Sequence, residues 1–293
     1  MSWICAYPAR LVTTVGYCWI SVLPGKRRRV GSILAADPAA YWIEALEGDF
    51  SYFVAIRATS LRRFHATVEN VEVLPGVVSV RTQVVRSVLH DGSRWQPRAV
   101  GPVDPGTPPV WGVEPTFSAS PTQKDLGLWT ALLRNGRASY IELATESGFS
   151  ERALRDRLPK MLHSGVLTTR CDVCQEALGL PVGMFLSIRG TAQGPRLARV
   201  ARRVPGVRVV SAVSGTAPFL LLVWLPAPSE AERVLATLHS AIPDLEVERL
   251  EFCVRSIKRY GRLFGPDGRV AALQPGIGEW DAMTAAPAPI ELR

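Results

Sequence analysis

Apolar positions recur at two spacings along this chain, and the switch between them marks its elements. Leu197, Val200, Ala201 and Val204 repeat at helical spacing, with Arg196, Arg199, Arg202 and Arg203 off the stripe. Pro195 suits a first helical turn, where its missing N–H costs nothing. Pro205-Gly206 stops that helix. Short unbroken apolar runs flank it at Met184–Ile188, Val207–Val213 and Phe219–Leu225, and read as buried strands. Ser229-x-x-Glu232 forms a capping box that opens a helix with Val234, Leu235, Leu238 and Ile242 on one face. Pro243 ends it and Leu245–Ile257 gives a closing strand. The order is strand, helix, strand, strand, helix, strand.

The same order occurs earlier. Val15–Val22 is a strand, Lys26–Ala36 a helix, and Tyr41–Leu46 and Tyr52–Ile56 are strands. Leu61, Phe64, Val68 and Val71 line a second helix, Pro75-Gly76 turns, and Val77–Leu89 closes the unit. A shift of 167 residues brings Leu11 onto Leu178, Val15 onto Val182, Gly16 onto Gly183, Pro38 onto Pro205, Gly48 onto Gly215 and Tyr52 onto Phe219, with no insertion. The expected class is α+β, with two ferredoxin-like β-α-β-β-α-β sandwiches. Each keeps its helices on one sheet face and leaves the other for a partner.

Residues 91–121 hold seven prolines and four glycines and read as an extended linker. Residues 122–168 are helical. Leu126, Trp129, Leu132 and Leu133 stripe one helix, and Ser139-x-x-Glu142 caps a second. Gly148 turns the chain, and Ser150 caps a third helix with Ala153, Leu154, Leu158, Met161 and Leu162 on its apolar face. Three helices with a tight second turn match a helix-turn-helix. Arg152, Arg155 and Asp156 project from the third helix, flanked by Arg157 and Lys160; arginine reads guanine through two parallel bonds in the major groove. Between 150 and 170 five Arg/Lys stand against two Asp/Glu. A plain bundle with a solvated basic face fits the same residues.

The stretch GRASYIELATESGFSERALRDRLPKMLHSGVL (136–167) resembles the helix-turn-helix of Lrp/AsnC regulators. It has a Gly-Arg step, a helix holding Glu-Leu-Ala, a Gly-aromatic-Ser turn, and Gly165 before an apolar pair. The resemblance implies a transcription regulator with ACT-like sensor domains. Its boundaries would be 1–90 for the first sensor, 91–121 for the linker, 122–177 for a winged helix-turn-helix, 178–262 for the second sensor and 263–293 for a disordered tail. It implies double-stranded DNA as partner, met through Ser139, Tyr140, Ser150, Arg152, Arg155, Asp156, Arg157 and Lys160. It also implies a small effector such as an amino acid, held at the turns of Gly48, Asp49, Ser51, Gly215 and Thr216. Those residues are equally readable as plain strand-connecting turns.

Three departures stand out. Met1–Arg10 matches only the wing, so a first helix-turn-helix is expected to be missing, which calls for a homodimer or larger even oligomer. Pro159 inside the third helix predicts a kink. Ser51 and Pro218 stand where the family carries an acidic residue after the glycine turn.

Composition changes little. A net charge of +8 over 293 residues permits an anionic partner. Five cysteines, an odd count in a long chain, argue for a reducing cytoplasm rather than a disulfide framework. Cys171-x-x-Cys174 has metal-ligand spacing but no second pair, and the four histidines are scattered, so no metal or cofactor is expected. The apolar stretch from Leu11 to Leu23 is too short to span a membrane. No Ser/His/Asp triad, P-loop or GxGxxG is present, so no catalytic residue is assigned. Two alternatives remain: a ligand-sensing or assembly protein that has lost DNA binding, and a tetrapyrrole decarboxylase on the same scaffold.

Overall fold

The computed structural model describes residues 2–8, 14–92, 122–163, 167–190 and 194–274. The first unit runs β2 (Thr14–Val22), α1 (Arg27–Ala36), β3 (Ala40–Glu47), β4 (Tyr52–Ala58), α2 (Leu61–Glu72) and β5 (Val77–Asp91), preceded by β1 (Ser2–Pro8). Three helices follow: α3 (Gln123–Arg134), α4 (Tyr140–Ser147) and α5 (Glu151–His163). After β6 (Leu167–Val173) the second unit runs β7 (Val182–Arg189), α6 (Gly194–Ala201), β8 (Val207–Val213), β9 (Phe219–Leu225), α7 (Ala231–Ala241) and β10 (Glu246–Arg259). The fold is mixed α+β with an antiparallel sheet.

Alternation along each strand sends side chains to two different cores. On β2, Cys18 and Ile20 meet Val30 and Leu34 of α1 and Phe64 and Val68 of α2. Met184, Leu186 and Ile188 of β7 likewise meet Leu197 of α6 and Leu238 of α7. The opposite residues, Tyr17 and Trp19 of β2, Trp42, Phe53, Phe185, Leu222 and Trp224, form a third core between the two sheets. The face each unit leaves uncovered is therefore closed by the other unit of the same chain.

The sheets also join at their edges. β5 pairs with β8, and β10 pairs with both β7 and β3, so eight antiparallel strands close into a barrel. The β3–β10 seam carries a buried ion pair between the units: Arg259 Nη2 lies 3.0 Å from Glu44 Oε1. Glu44 also accepts from Ser256 Oγ at 2.7 Å and Cys253 Sγ at 3.1 Å, so the buried charge is satisfied.

Three expectations are corrected. The 167-residue shift holds for helices and central strands: Val30 and Leu197 both face their sheet, and Ile43 and Val210 both face helices. It fails at the first strand. Tyr17 pairs with Ala55 and Phe185 with Leu222, so the structural shift there is 168. A one-residue slip exchanges the two faces, and burial of Tyr17 between the sheets decides the register. The tail does not begin at 263. Tyr260 (φ 48) and Gly261 (φ 79) reverse the chain, β11 (Arg262–Phe264) returns along β10, and β12 (Val270–Leu273) pairs with β11. Gln274 Nε2 ties this hairpin to α1 by donating to Ala36 O at 2.7 Å. The expected wing after α5 is half of a ribbon, since β6 pairs along its whole length with β1. The linker after Gly92 and the tail from 275 lie outside the described residues.

Candidate nucleic-acid interface and effector turns

The three helices are fixed by local signals. Thr122 and Asp125 make a capping box at α3, and Ser139 and Glu142 make another at α4. Hydrogen bonds from Ser139 hold the Glu142 carboxyl below its ordinary value. Gly148 ends α4 in the left-handed region (φ 71), where a side chain would be strained, and Ser150 Oγ caps α5 by accepting from Ala153 N. Leu154 and Met161 of α5 enter a core with Leu128, Trp129, Leu132 and Leu143. The core reaches the barrel at Tyr260, and buried Arg262 donates to Leu133 O at 2.8 Å.

The face of α5 opposite that core holds most of the expected contact residues. Arg152, Arg155, Asp156 and Lys160 are exposed. Arg152 has no partner among the described residues. Arg155 lies 4.7 Å over the Tyr140 ring and pairs with Glu151. Lys160 stands 4.0 Å from Asp156. Ser139 and Ser150 sit at the starts of α4 and α5, their hydroxyls already engaged in capping. Arg157 is the exception. Its Nη2 lies 2.7 Å from Asp125 Oδ1, and its guanidinium lies 5.4 Å from the Phe149 ring centroid. Burial raises the Asp125 carboxyl, but hydrogen bonds from Thr122 and the Arg157 guanidinium outweigh it and hold the group below its usual range. Arg157 is a clamp between α5 and α3, and is withdrawn from the contact face. The helix runs on through Pro159 to His163.

The expected effector turns both close the far end of the barrel. Each abuts the closing strand of the other unit. Gln83 Nε2 of β5 donates to Ser214 O (3.5 Å) and Ala217 O (3.4 Å), and Glu251 of β10 presses on Gly48, where any Cβ would sit 2.0 Å from Oε2. Asp49, Gly215 and Thr216 are exposed. Thr216 Oγ1 reaches Glu248, itself bound to Arg189. Ser51 is buried and accepts from Val22 N at 3.2 Å, which assigns it to holding the turn.

No family model matches the chain. The regulatory protein AsnC of Escherichia coli K12 is 40% identical over 65 residues, 22% of this chain and 43% of AsnC. The transcriptional regulator LysM of Saccharolobus solfataricus is 26% identical over 108 residues, 36% of this chain and 75% of LysM. The chain is related to the Lrp/AsnC regulators. It spans less than half the length of the AsnC protein it matches. The siroheme decarboxylase NirDL shares its fold, with a TM-score of 0.56 at 14% identity, covering 88% of this chain and 77% of NirDL.

Beyond the Lrp/AsnC motif, the structure brings in residues that sequence reasoning missed. Arg249 lies 4.6 Å over Trp19 and 4.9 Å over Phe50, beside the first turn. Its Nε and Nη1, and both carboxylate oxygens of buried Glu251, have no hydrogen-bond partner. Burial first, and then Asp49, raises the Glu251 carboxyl. Two like-spaced charges on a strand predicted only as apolar were the available signal. Among the described residues no group of His, Cys, Asp and Glu is placed to hold a metal. Cys174 Sγ donates instead to Glu176 at 3.0 Å, and the Cys171 side chain lies outside the described residues. No described helix is long and apolar enough to cross a membrane.

Proposed function

We propose that this chain is a cytoplasmic transcription regulator of the Lrp/AsnC type. Its three-helix unit acts as a winged helix-turn-helix between two ferredoxin-like sensor units, and α5 lies in the major groove of double-stranded DNA. One observation carries the reading: Arg152 and Arg155 stand exposed on the first half of a helix whose opposite side is buried. Tyr140 braces Arg155, so its guanidinium is positioned before DNA arrives. Ser139, Ser150 and Lys160 serve the phosphates and Asp156 an exocyclic amine. With one such unit per chain, a homodimer or larger even oligomer supplies two half-sites. A small effector, an amino acid by analogy with the family, acts at the turns of Asp49 and of Gly215 and Thr216.

The test is a duplex selected from genomic fragments, titrated by anisotropy across a salt series. Arg155→Ala is expected to lose about 1–3 kcal/mol on that duplex and almost nothing on scrambled sequence. Arg157→Ala is expected to change binding only through stability. Equal affinity of the parent for selected and scrambled duplexes would sink the reading and favour a sensing or assembly protein.

The fold shared with NirDL favours a second reading, an enzyme that decarboxylates a tetrapyrrole. The cavity of the barrel leaves only about 50 Å³ for the centres of water molecules, against roughly 300 Å³ or more for an ordinary ligand pocket. Carbon dioxide release from added siroheme would establish this activity and displace the regulator.

A further inference from the structure

The end of the barrel nearest the three-helix unit is hollow. The cavity there is lined by Tyr17, Tyr41, Trp42, Trp224, Arg208 and Arg259, among others. Its 50 Å³ of open space holds a few water molecules. Arg208 and Arg259 are 5% and 6% exposed, and both lie over the Trp224 ring, at 4.1 and 5.1 Å. Charge at this mouth is unbalanced. Glu44 neutralises Arg259. Arg208, and Arg57 stacked 4.5 Å over Tyr41, then face the one carboxylate of Asp91. His90 adds no charge at neutral pH, since burial, with Arg202 and Arg208 nearby, pushes it down to about 4. Flat walls and an excess of buried guanidinium select a flat anion.

We propose that this mouth binds a small aromatic carboxylate, one ring bearing one acid group, and that the three-helix unit senses its occupancy through Tyr260. Tyr260 lines the cavity and touches both the inner core and the helix core. It is held at φ 48, a conformation unfavourable for a tyrosine, and its N–H donates to Tyr41 O at 2.7 Å. Two residues on, Arg262 grips α3 at Leu133. A ring entering beside Tyr41 and Tyr260 therefore displaces a segment anchored directly to α3. This site lies at the opposite end of the barrel from the effector turns. Its regulatory half rests on the reading as a DNA-binding regulator; the binding half does not.

The whole chain is titrated with benzoate, and separately with acetate and benzyl alcohol, by calorimetry and tryptophan fluorescence. Benzoate is expected to bind at least tenfold tighter than either, Arg208→Gln to weaken it tenfold or more, and Thr216→Ala to leave it within twofold. Benzoate binding no tighter than acetate or benzyl alcohol overturns the site without using any variant. Coupling is read by hydrogen exchange in α3, which needs no DNA. Protection there is expected to change when benzoate saturates, and Arg262→Gln to abolish that change while still binding benzoate. Unaltered exchange in α3 at saturation overturns the coupling. Failure to bind any duplex would instead count against the regulator and leave the benzoate result standing.

Discussion

At the scale of the residue, one carboxylate organises the helical unit. Asp125 accepts from Thr122 and from Arg157, so it both starts α3 and fastens α5 to it. Hydrogen bonds to a charged group contribute about 1.5–3 kcal/mol, discounted here because Arg157 is one-third exposed. Asp125→Asn is therefore expected to cost about 1–2 kcal/mol at pH 7. The sign with pH follows from the lowered value of the carboxyl. Its contribution is complete above the unfolded value of about 4. It fades as pH falls through the folded value below that. Urea unfolding of parent and variant should differ at pH 7 and converge near pH 2.5. A constant difference across that range would show that the pair contributes little. The inward turn of Arg157 was not legible in the sequence, because its partner lies 32 residues away and helical spacing leaves Arg157 between the two faces. Arg152 and Arg155 were legible because the buried positions of α5 leave them no other side.

At the scale of the element, capping boxes and turn residues announced the helices, and the helices form where those signals stand. Strand registers were harder to read. Gly16 and Gly183 match in the sequence, yet Gly16 faces Phe64 of α2 while Gly183 faces Cys253 in the inner core. Only closure of the barrel distinguishes those environments. The strands β11 and β12 were hidden for a different reason: they are short, flanked by glycines, and paired only with β10 and each other. Pro159 poses the clearest test at this scale. It has no N–H to offer Arg155 O, and an interior proline costs about 3 kcal/mol relative to alanine. α5 nevertheless continues for another turn, because Met161 is held in the helix core. Pro159→Ala is expected to raise stability by about 1 kcal/mol or more, part of the proline cost being already absorbed by the surrounding fold. Thermal melts would show a Tm several degrees higher, with DNA binding within a few-fold. A lower Tm would mean that the bend at Pro159 is what brings Met161 to its place.

At the scale of the whole molecule, the two sandwiches cannot be separate domains in the energetic sense. The repeat predicts two units, each with one sheet face awaiting a partner, and does not say where the partner comes from. The structure supplies it within the chain, through one inner core and two edge seams. Residues 14–92 alone would expose Tyr17, Trp19, Trp42, Phe50 and Phe53, all buried in the intact chain. They would also leave the edges of β3 and β5 unpaired. An apolar face of that kind is not tolerated by a monomer in water. Expressed as a fragment, 14–92 is expected to associate, as a dimer that pairs its own sheet faces or as an aggregate, with light scattering giving the mass. In the intact chain, unfolding followed by tryptophan fluorescence and by circular dichroism should coincide across both units. A monomeric fragment with a cooperative melt would overturn this, because it would show that each unit holds its own core and that the inner aromatic cluster is a contact between independent domains. Cooperative closure also bears on regulation. A ligand that enters one mouth of a shared barrel acts on both units at once, so any signal to α3 comes from the barrel as a single body.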